Sequence, residues 1–169
     1  MMKRIISILL VLVTIIICVT GCSNKSKTQE CMGNTIDLEK TASTIANMIN
    51  LQYDIKQAKT TDGSPYSNIC FYKNESDKAK RDKNILLYEN LISVIFNSID
   101  YEEAVKILYG VMADFYDQTG KYDDNEIRTF IMNNAYGNNN VFIIDKITYK
   151  GFGIEAVYDN SHLIMSISK

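Results

Sequence analysis

The chain has no Trp, one Pro and one His in 169 residues. A single His excludes zinc sites built on a His pair, H-E-x-x-H among them. A Ser–His relay would depend on His162, and its neighbour Ser161 is adjacent along the chain rather than placed across a site. No G-x-S-x-G, P-loop or G-x-G-x-x-G occurs. Charge is also scarce in net terms, at −2 with 22% charged residues, which argues against nucleic acid as partner because phosphate binding needs clustered cations. The 46% hydrophobic content with only eight Gly excludes collagen-like and disordered chains. Beyond residue 20 no apolar run is long enough to span a bilayer.

What is present begins at the amino end. Lys3 and Arg4 precede residues 5–20, an uncharged apolar stretch that as a helix would be about 24 Å long, short of a hydrocarbon core of about 30 Å. The order of basic start, short apolar run and small residues is that of an export signal. Its end, Val19-Thr20-Gly21-Cys22, resembles the lipobox of bacterial lipoprotein signal peptides, a resemblance confined to residues 1–22. It implies a diacylglyceryl group on the Cys22 thiol, cleavage between Gly21 and Cys22, and a mature protein held on the extracytoplasmic face of the bacterial cell membrane. Two acyl chains are enough for stable anchoring where one is not. Without that processing, Cys22 would be a buried thiol near the end of an uncleaved helix. Cleavage of the ordinary secretory kind would need an A-x-A-like triplet near Thr20, and none is there.

The expected organisation is a signal peptide at 1–21, a lipid-anchored flexible tether at 22–34 and a single globular domain at 35–169. Removing residues 1–21 leaves 169 − 21 = 148 residues with a charge of 16 − 20 = −4. A chain of that size buries roughly 68–70% of its unfolded surface. Outside the cytoplasm Cys31 and Cys70 could form a disulfide closing a loop worth about 3–4 kcal/mol, or stand as two free thiols. Two Cys without nearby His or Cys do not complete a metal tetrahedron.

Helical spacing of Leu38, Ala42, Ile45, Ile49 and Tyr53 predicts a helix over 37–59, capped by Asn34 or Thr35 and stopped by the 60–65 run TTDGSP. Residues 69–72 read as strand or helix alike. The dense apolar set of 82–98 predicts a central helix buried on most sides. Asp100 and Glu103 have capping-box spacing for a third helix ending at Gly120, and Asp123 and Glu126 repeat it for a fourth, ending at Gly137. The period then changes to 2. Three strands at 141–149, 152–159 and 162–168 are joined by the turns Lys150-Gly151 and Asn160-Ser161, a meander with Tyr149 opposite Phe152, Ile143 opposite Tyr158 and Lys146 opposite Glu155. The predicted fold is α+β: about four helices followed by a C-terminal three-stranded antiparallel meander whose apolar face they cover.

Candidate chemistry is thin. Residues 115–126 look like a degraded EF-hand loop with Asp117, Thr119, Asp123 and Glu126 in register, but Phe115 fills the first ligand position, so neither metal nor other cofactor is expected. Asp145 is a carboxylate on the face assigned to the core, the mark of a small polar pocket or of the sheet's open end. The basic run Lys78, Lys80, Arg81, Lys83 is interrupted by Asp82 and reads as a solvated segment. The expected function is therefore a non-enzymatic binding or interaction module at the cell surface, its partner another envelope protein or a peptide. A small ligand-binding domain, or an envelope-directed hydrolase using carboxylates such as Asp145 with Asp123 or Glu126, is the alternative.

Overall fold

The computed structural model describes residues 27–138 and 141–169. The expected signal peptide, the Gly21–Cys22 cleavage point and the lipidation residue Cys22 lie outside the described residues.

The chain starts with a two-stranded ribbon, β1 (Thr28–Cys31) and β2 (Asn34–Asp37). Its turn, Met32-Gly33, has φ of 53° and 78°, the mirror-image turn that matches strand twist. Cys31, Met32 and Ile36 are in the core, so the folded domain begins before residue 35 and residues 28–34 are not tether. Asp37 then caps α1 (Leu38–Ile49), accepting from the N–H groups of Glu39 and Lys40.

α1 stops ten residues short of the sequence expectation. Asn50 takes the left-handed conformation (φ 52°, ψ 50°) that ends helices, and the chain continues as β3 (Gln52–Lys59) and β4 (Pro65–Tyr72). The run at 60–65 is thus the turn of a hairpin, with Pro65 at the first position of a strand, where its missing N–H is harmless. The helix predicted over 82–98 is two strands, β5 (Lys83–Leu87) and β6 (Leu91–Asn97), turning at Tyr88, whose N–H donates to Leu91 O at 2.8 Å. Ile85, Leu87, Ile92, Val94 and Phe96 face the core at period 2, while Leu86 and Ile95 on the other face are half-buried. A strand apolar on both faces mimics a fully buried helix in sequence.

α2 (Tyr101–Gln118) carries the capping box expected at Asp100 and Glu103. α3 (Asp124–Asn134) starts at Asp123, whose side chain accepts from Glu126 N–H. Then come β7 (Tyr136–Asn138), β8 (Val141–Tyr149), β9 (Phe152–Asp159) and β10 (His162–Ser168).

The fold is α+β, but three helices and an antiparallel sheet replace the four helices and isolated meander of the sequence reading. The sheet has eight strands in the order β3-β4-β5-β6-β10-β9-β8-β7. It consists of two four-stranded meanders, β3 to β6 and β7 to β10, joined by antiparallel pairing of their last strands, β6 and β10. The three predicted C-terminal strands exist and both their turns have positive φ. Tyr149 does oppose Phe152, but a bulge between Ile144 and Ile147 shifts the rest by one, so Ile143 opposes Val157 rather than Tyr158. Asp145 and Lys146 both lie against Glu155, which aims Phe142 and Ile144 at the core in place of Ile143.

The helices and one face of the sheet share a single hydrophobic core. Phe115 of α2 meets Phe152 of β9 edge-on at 4.9 Å, Phe130 of α3 lies 4.5 Å from Tyr149 of β8, and the Tyr116 hydroxyl donates to Tyr149 O at 2.8 Å.

Candidate functional site

With the helices on one face of the sheet, the ladder registers dictate what the other face displays. A single cross-strand row runs Ile143, Val157, Ile164, Ile95, Asn84, Cys70, Asp54 from β8 to β3. Its neighbour runs Glu155, Ser166, Ser93, Leu86, Asn68, Lys56. The first row thus has an aliphatic end on β8, β9, β10 and β6 and a polar end on β5, β4 and β3, while the second is polar throughout except for Leu86.

The two ends are treated differently. Over the polar end lie residues 73–82: Lys78 Nζ reaches Asp54 at 3.7 Å and sits 5.2 Å from the centre of the Tyr72 ring. Cys70 and Tyr72 are consequently buried although they point away from the core. Over the aliphatic end lies nothing among the described residues. Ile164 is 58% exposed and Val157 39%, side by side in mid-sheet and flanked by half-buried Ile143 and Ile95. Covering the part of these side chains still exposed would gain a fraction of the roughly 1.5–3 kcal/mol that full burial of an aliphatic side chain is worth.

Cys31 and Cys70 are free, and the sheet separates them. Cys31 belongs to the core, on the side of Ser67, Ile69 and Phe71; Cys70, between Ile69 and Phe71 on the strand, points to the opposite face. The bridge the sequence allowed is therefore not made, because no rotamer carries a side chain through a sheet. Burial pushes the Cys31 thiol up to about 12 and also raises that of Cys70, against the pull of Lys56 and Arg81. Neither is a thiolate at neutral pH, the form a nucleophile or metal ligand requires.

Asp145, read from sequence as a pocket residue, is exposed in the β8 bulge. The register shift is the reason: it moves the acid off the core face. Asp123 is occupied with capping α3, and Glu126 pairs with Lys150 at 2.6 Å, so the carboxylates suggested for hydrolysis hold structural positions. In the EF-hand-like run Asp117 pairs with Lys40 at 2.6 Å, and among the described residues no cluster of three potential metal ligands forms. His162 is exposed at the last turn, its Nδ1 2.6 Å from Asn160 O. A cleft of about 290 Å³ opens between the start of α2 and residues 73–83. Its acids are largely engaged, Asp77 with Lys80 at 2.7 Å, Asp82 with Lys83 at 3.7 Å and Glu103 in the capping box.

Sequence reasoning missed one buried acid. Asp114 of α2 is 6% exposed and accepts from Thr41 Oγ1 at 2.6 Å and Gln118 Nε2 at 2.8 Å, while its other oxygen is buried without a partner. Lys40 and Asp117 are the charges that act on it, Lys40 favouring the carboxylate and Asp117 opposing it. Burial, opposed by those two hydrogen bonds, raises its carboxyl above the usual range. A carboxyl whose pKa is higher folded than unfolded stabilises fully below its unfolded value, and the contribution is lost as pH rises through the folded one. Asp114→Asn is therefore expected to gain stability relative to wild type as pH rises from 3 to 7. Urea midpoints measured at several pH values check this, and parallel curves would refute it.

Family models, curated proteins and solved structures yield no match to this chain.

Proposed function

We propose that the protein is a lipid-anchored extracytoplasmic lipoprotein, held to the bacterial cell membrane by a diacylglyceryl group on Cys22. Its domain is a non-enzymatic module that docks another exported protein or a peptide. The observation that carries the docking half is the bare row Ile143, Val157, Ile164 and Ile95 on a sheet whose other outer half is covered by its own loop. A flat aliphatic strip bordered by Ser93, Ser166 and Glu155 suits a partner with its own apolar surface and hydrogen-bonding rim. The anchoring half rests on the lipobox-like Val19-Thr20-Gly21-Cys22 after a basic and apolar start. Display at a membrane surface and an uncovered binding face are consistent with each other.

Both halves are tested in a bacterial host. Cys22→Ser is expected to move the protein out of the membrane fraction and to abolish the acylated amino terminus seen by mass spectrometry; an unmodified wild-type terminus would sink the anchor. A photo-crosslinker placed at Ile164 is expected to give one discrete adduct with an exported protein, lost on Val157→Lys and not produced from Met132, which is 81% exposed on α3. Equal labelling from positions 164 and 132 would remove the docking face, and an adduct of the chain with itself would replace the foreign partner by a second copy.

A further inference from the structure

The large sheet ends on two edges. One is β7, three residues long; the other is β3, eight residues long. A long edge strand is a template for further pairing, whereas a short one is blunt. Which backbone groups β3 holds out follows from its hairpin. Thr60 N–H donates to Ser64 O at 2.9 Å, and the ladder runs on from that pair without a shift, from Lys59 opposite Pro65 to Gln52 opposite Tyr72. In an antiparallel strand alternate residues bond to the same neighbour. Ala58, Lys56, Asp54 and Gln52 therefore bond to β4, and Tyr53, Ile55, Gln57 and Lys59 turn their N–H and C=O groups outward. The bond from Tyr88 N–H to Leu91 O at 2.8 Å gives the same parity when counted back through β5 and β4. Among the described residues the outward groups make one contact, a long bond of 3.4 Å from the Tyr72 hydroxyl to Tyr53 O. It leaves that carbonyl its second lone pair.

On the outer face the same strand carries an acid and a base two residues apart. The side chains of Asp54 and Lys56 are 32% and 52% exposed. Within one copy Asp54 is approached by Lys56 and by Lys78 at 3.7 Å each, outside hydrogen-bond distance.

We propose that β3 pairs antiparallel with β3 of a second copy of this chain, about a two-fold axis at Ile55. Ile55 then faces Ile55 of the second copy, Tyr53 faces Gln57, and each such pair exchanges two backbone bonds. Between them, Asp54 of each copy stands directly opposite Lys56 of the other. Those charges select the register. An axis at Asp54 or at Lys56 sets like charges against each other, which destabilises a strand pair. An axis at Tyr53 or Gln57 leaves neither charge opposite its counterpart. A foreign strand would need its own acid and base at this spacing, and a second copy brings them. The pairing is isologous, so it closes at two copies. The assignment uses neither the lipid anchor nor the aliphatic row. Ile164 on β10 is four strand spacings from this edge, about 19 Å, so a self-adduct from position 164 does not arise from it.

The test is disulfide trapping of the full chain in detergent, read on non-reducing gels against the wild type with its own cysteines in place. In this register exposed Gln52 stands opposite exposed Ala58 of the second copy, in a pair whose Cα atoms are about 4.5 Å apart, a span a disulfide can close. Within one chain the same positions are six residues apart on an extended strand, roughly 20 Å, and cannot bridge. Gln52→Cys together with Ala58→Cys is expected to oxidise to a covalent dimer, and either change alone to give no more dimer than wild type. Adding Lys56→Asp should lower the yield about fivefold or more. Adding Asp54→Lys to that chain should restore it, because the exchanged charges again meet their opposites. Absence of a dimer from the double-cysteine chain overturns the proposal. Equal yields from the single variants, or a yield that Lys56→Asp leaves unchanged, do so as well.

Discussion

Phe115→Ala is expected to cost about 3–5 kcal/mol of folding stability, the largest loss foreseen for one side chain in this protein. Phe115 is 2% exposed on α2 and meets Tyr116 and Phe152 edge-on at 5.3 and 4.9 Å. It thus joins the central helix to β9, and beside it Tyr116 ties the same helix to β8 through Tyr149 O. Truncation removes buried ring area and leaves a cavity that the neighbouring rings cannot close without leaving their own contacts. Urea denaturation followed by far-ultraviolet circular dichroism is the measurement: the midpoint should fall while the slope is unchanged. Met132→Ala, at an 81% exposed position, should shift the midpoint hardly at all. A loss below about 1 kcal/mol for Phe115→Ala would mean that the packing of α2 on the sheet is not as described.

Enlarging Gly110 is the second. It sits in the middle of α2 where α1 crosses, and a Cβ there would stand 2.4 Å from Met48 Sδ and 2.9 Å from Ile45 Cδ1. The glycine is kept for approach, since its helical backbone gains from any side chain: Ala in its place would add about 1 kcal/mol of helix propensity. Met48 is 36% exposed and can swing aside, whereas fully buried Ile45 can yield only at its terminal methyl, at a cost that offsets the propensity gain. Gly110→Ala should therefore be close to neutral, whereas Gly110→Val, with two further methyl groups against Ile45, should lose about 1–3 kcal/mol. Combining Gly110→Ala with Met48→Ala removes one side of the contact, and the pair is expected to be more stable than the sum of the single changes. Strict additivity would show that the two helices do not touch there.

Legibility varied along the chain for physical reasons. Both capping residues of α2 and α3 were readable because Asp100 with Glu103, and Asp123 with Glu126, satisfy their helix ends locally. The hairpin turns at Lys150-Gly151 and Asn160-Ser161 were readable for the same reason. β5 and β6 were not. Ile85, Leu87, Ile92, Val94 and Phe96 alternate properly, but Leu86 and Ile95 fill the gaps because these strands lie in mid-sheet, and the Glu89-Asn90 turn carries no Gly or Pro to break the run. Asn50 was the missed signal in α1, a left-handed stop that outweighed the continuing apolar spacing toward Tyr53.

The candidate site was the least legible part. Val157 and Ile164 alternate out of phase with the core positions of their strands, so they could be seen as apolar residues facing away from it. That they align with Ile95 depends on β10 pairing with β6, a contact between residues far apart in sequence. Asp145 was misplaced by a single extra residue, since a bulge reverses which side chains face the core.

By itself the sequence determined the α+β class, the starts of α2 and α3 and the last three strands, because each is encoded by neighbours along the chain, whereas the expected end of α3 at Gly137 was overruled by β7. Only the tertiary structure decided that Cys31 and Cys70 stand on opposite sides of a sheet, that eight strands form one layer, and that one stretch of that layer has no cover among the described residues. Those outcomes depend on which distant strands pair and in what register, and backbone hydrogen bonding is indifferent to residue identity until burial of one face selects the pairing.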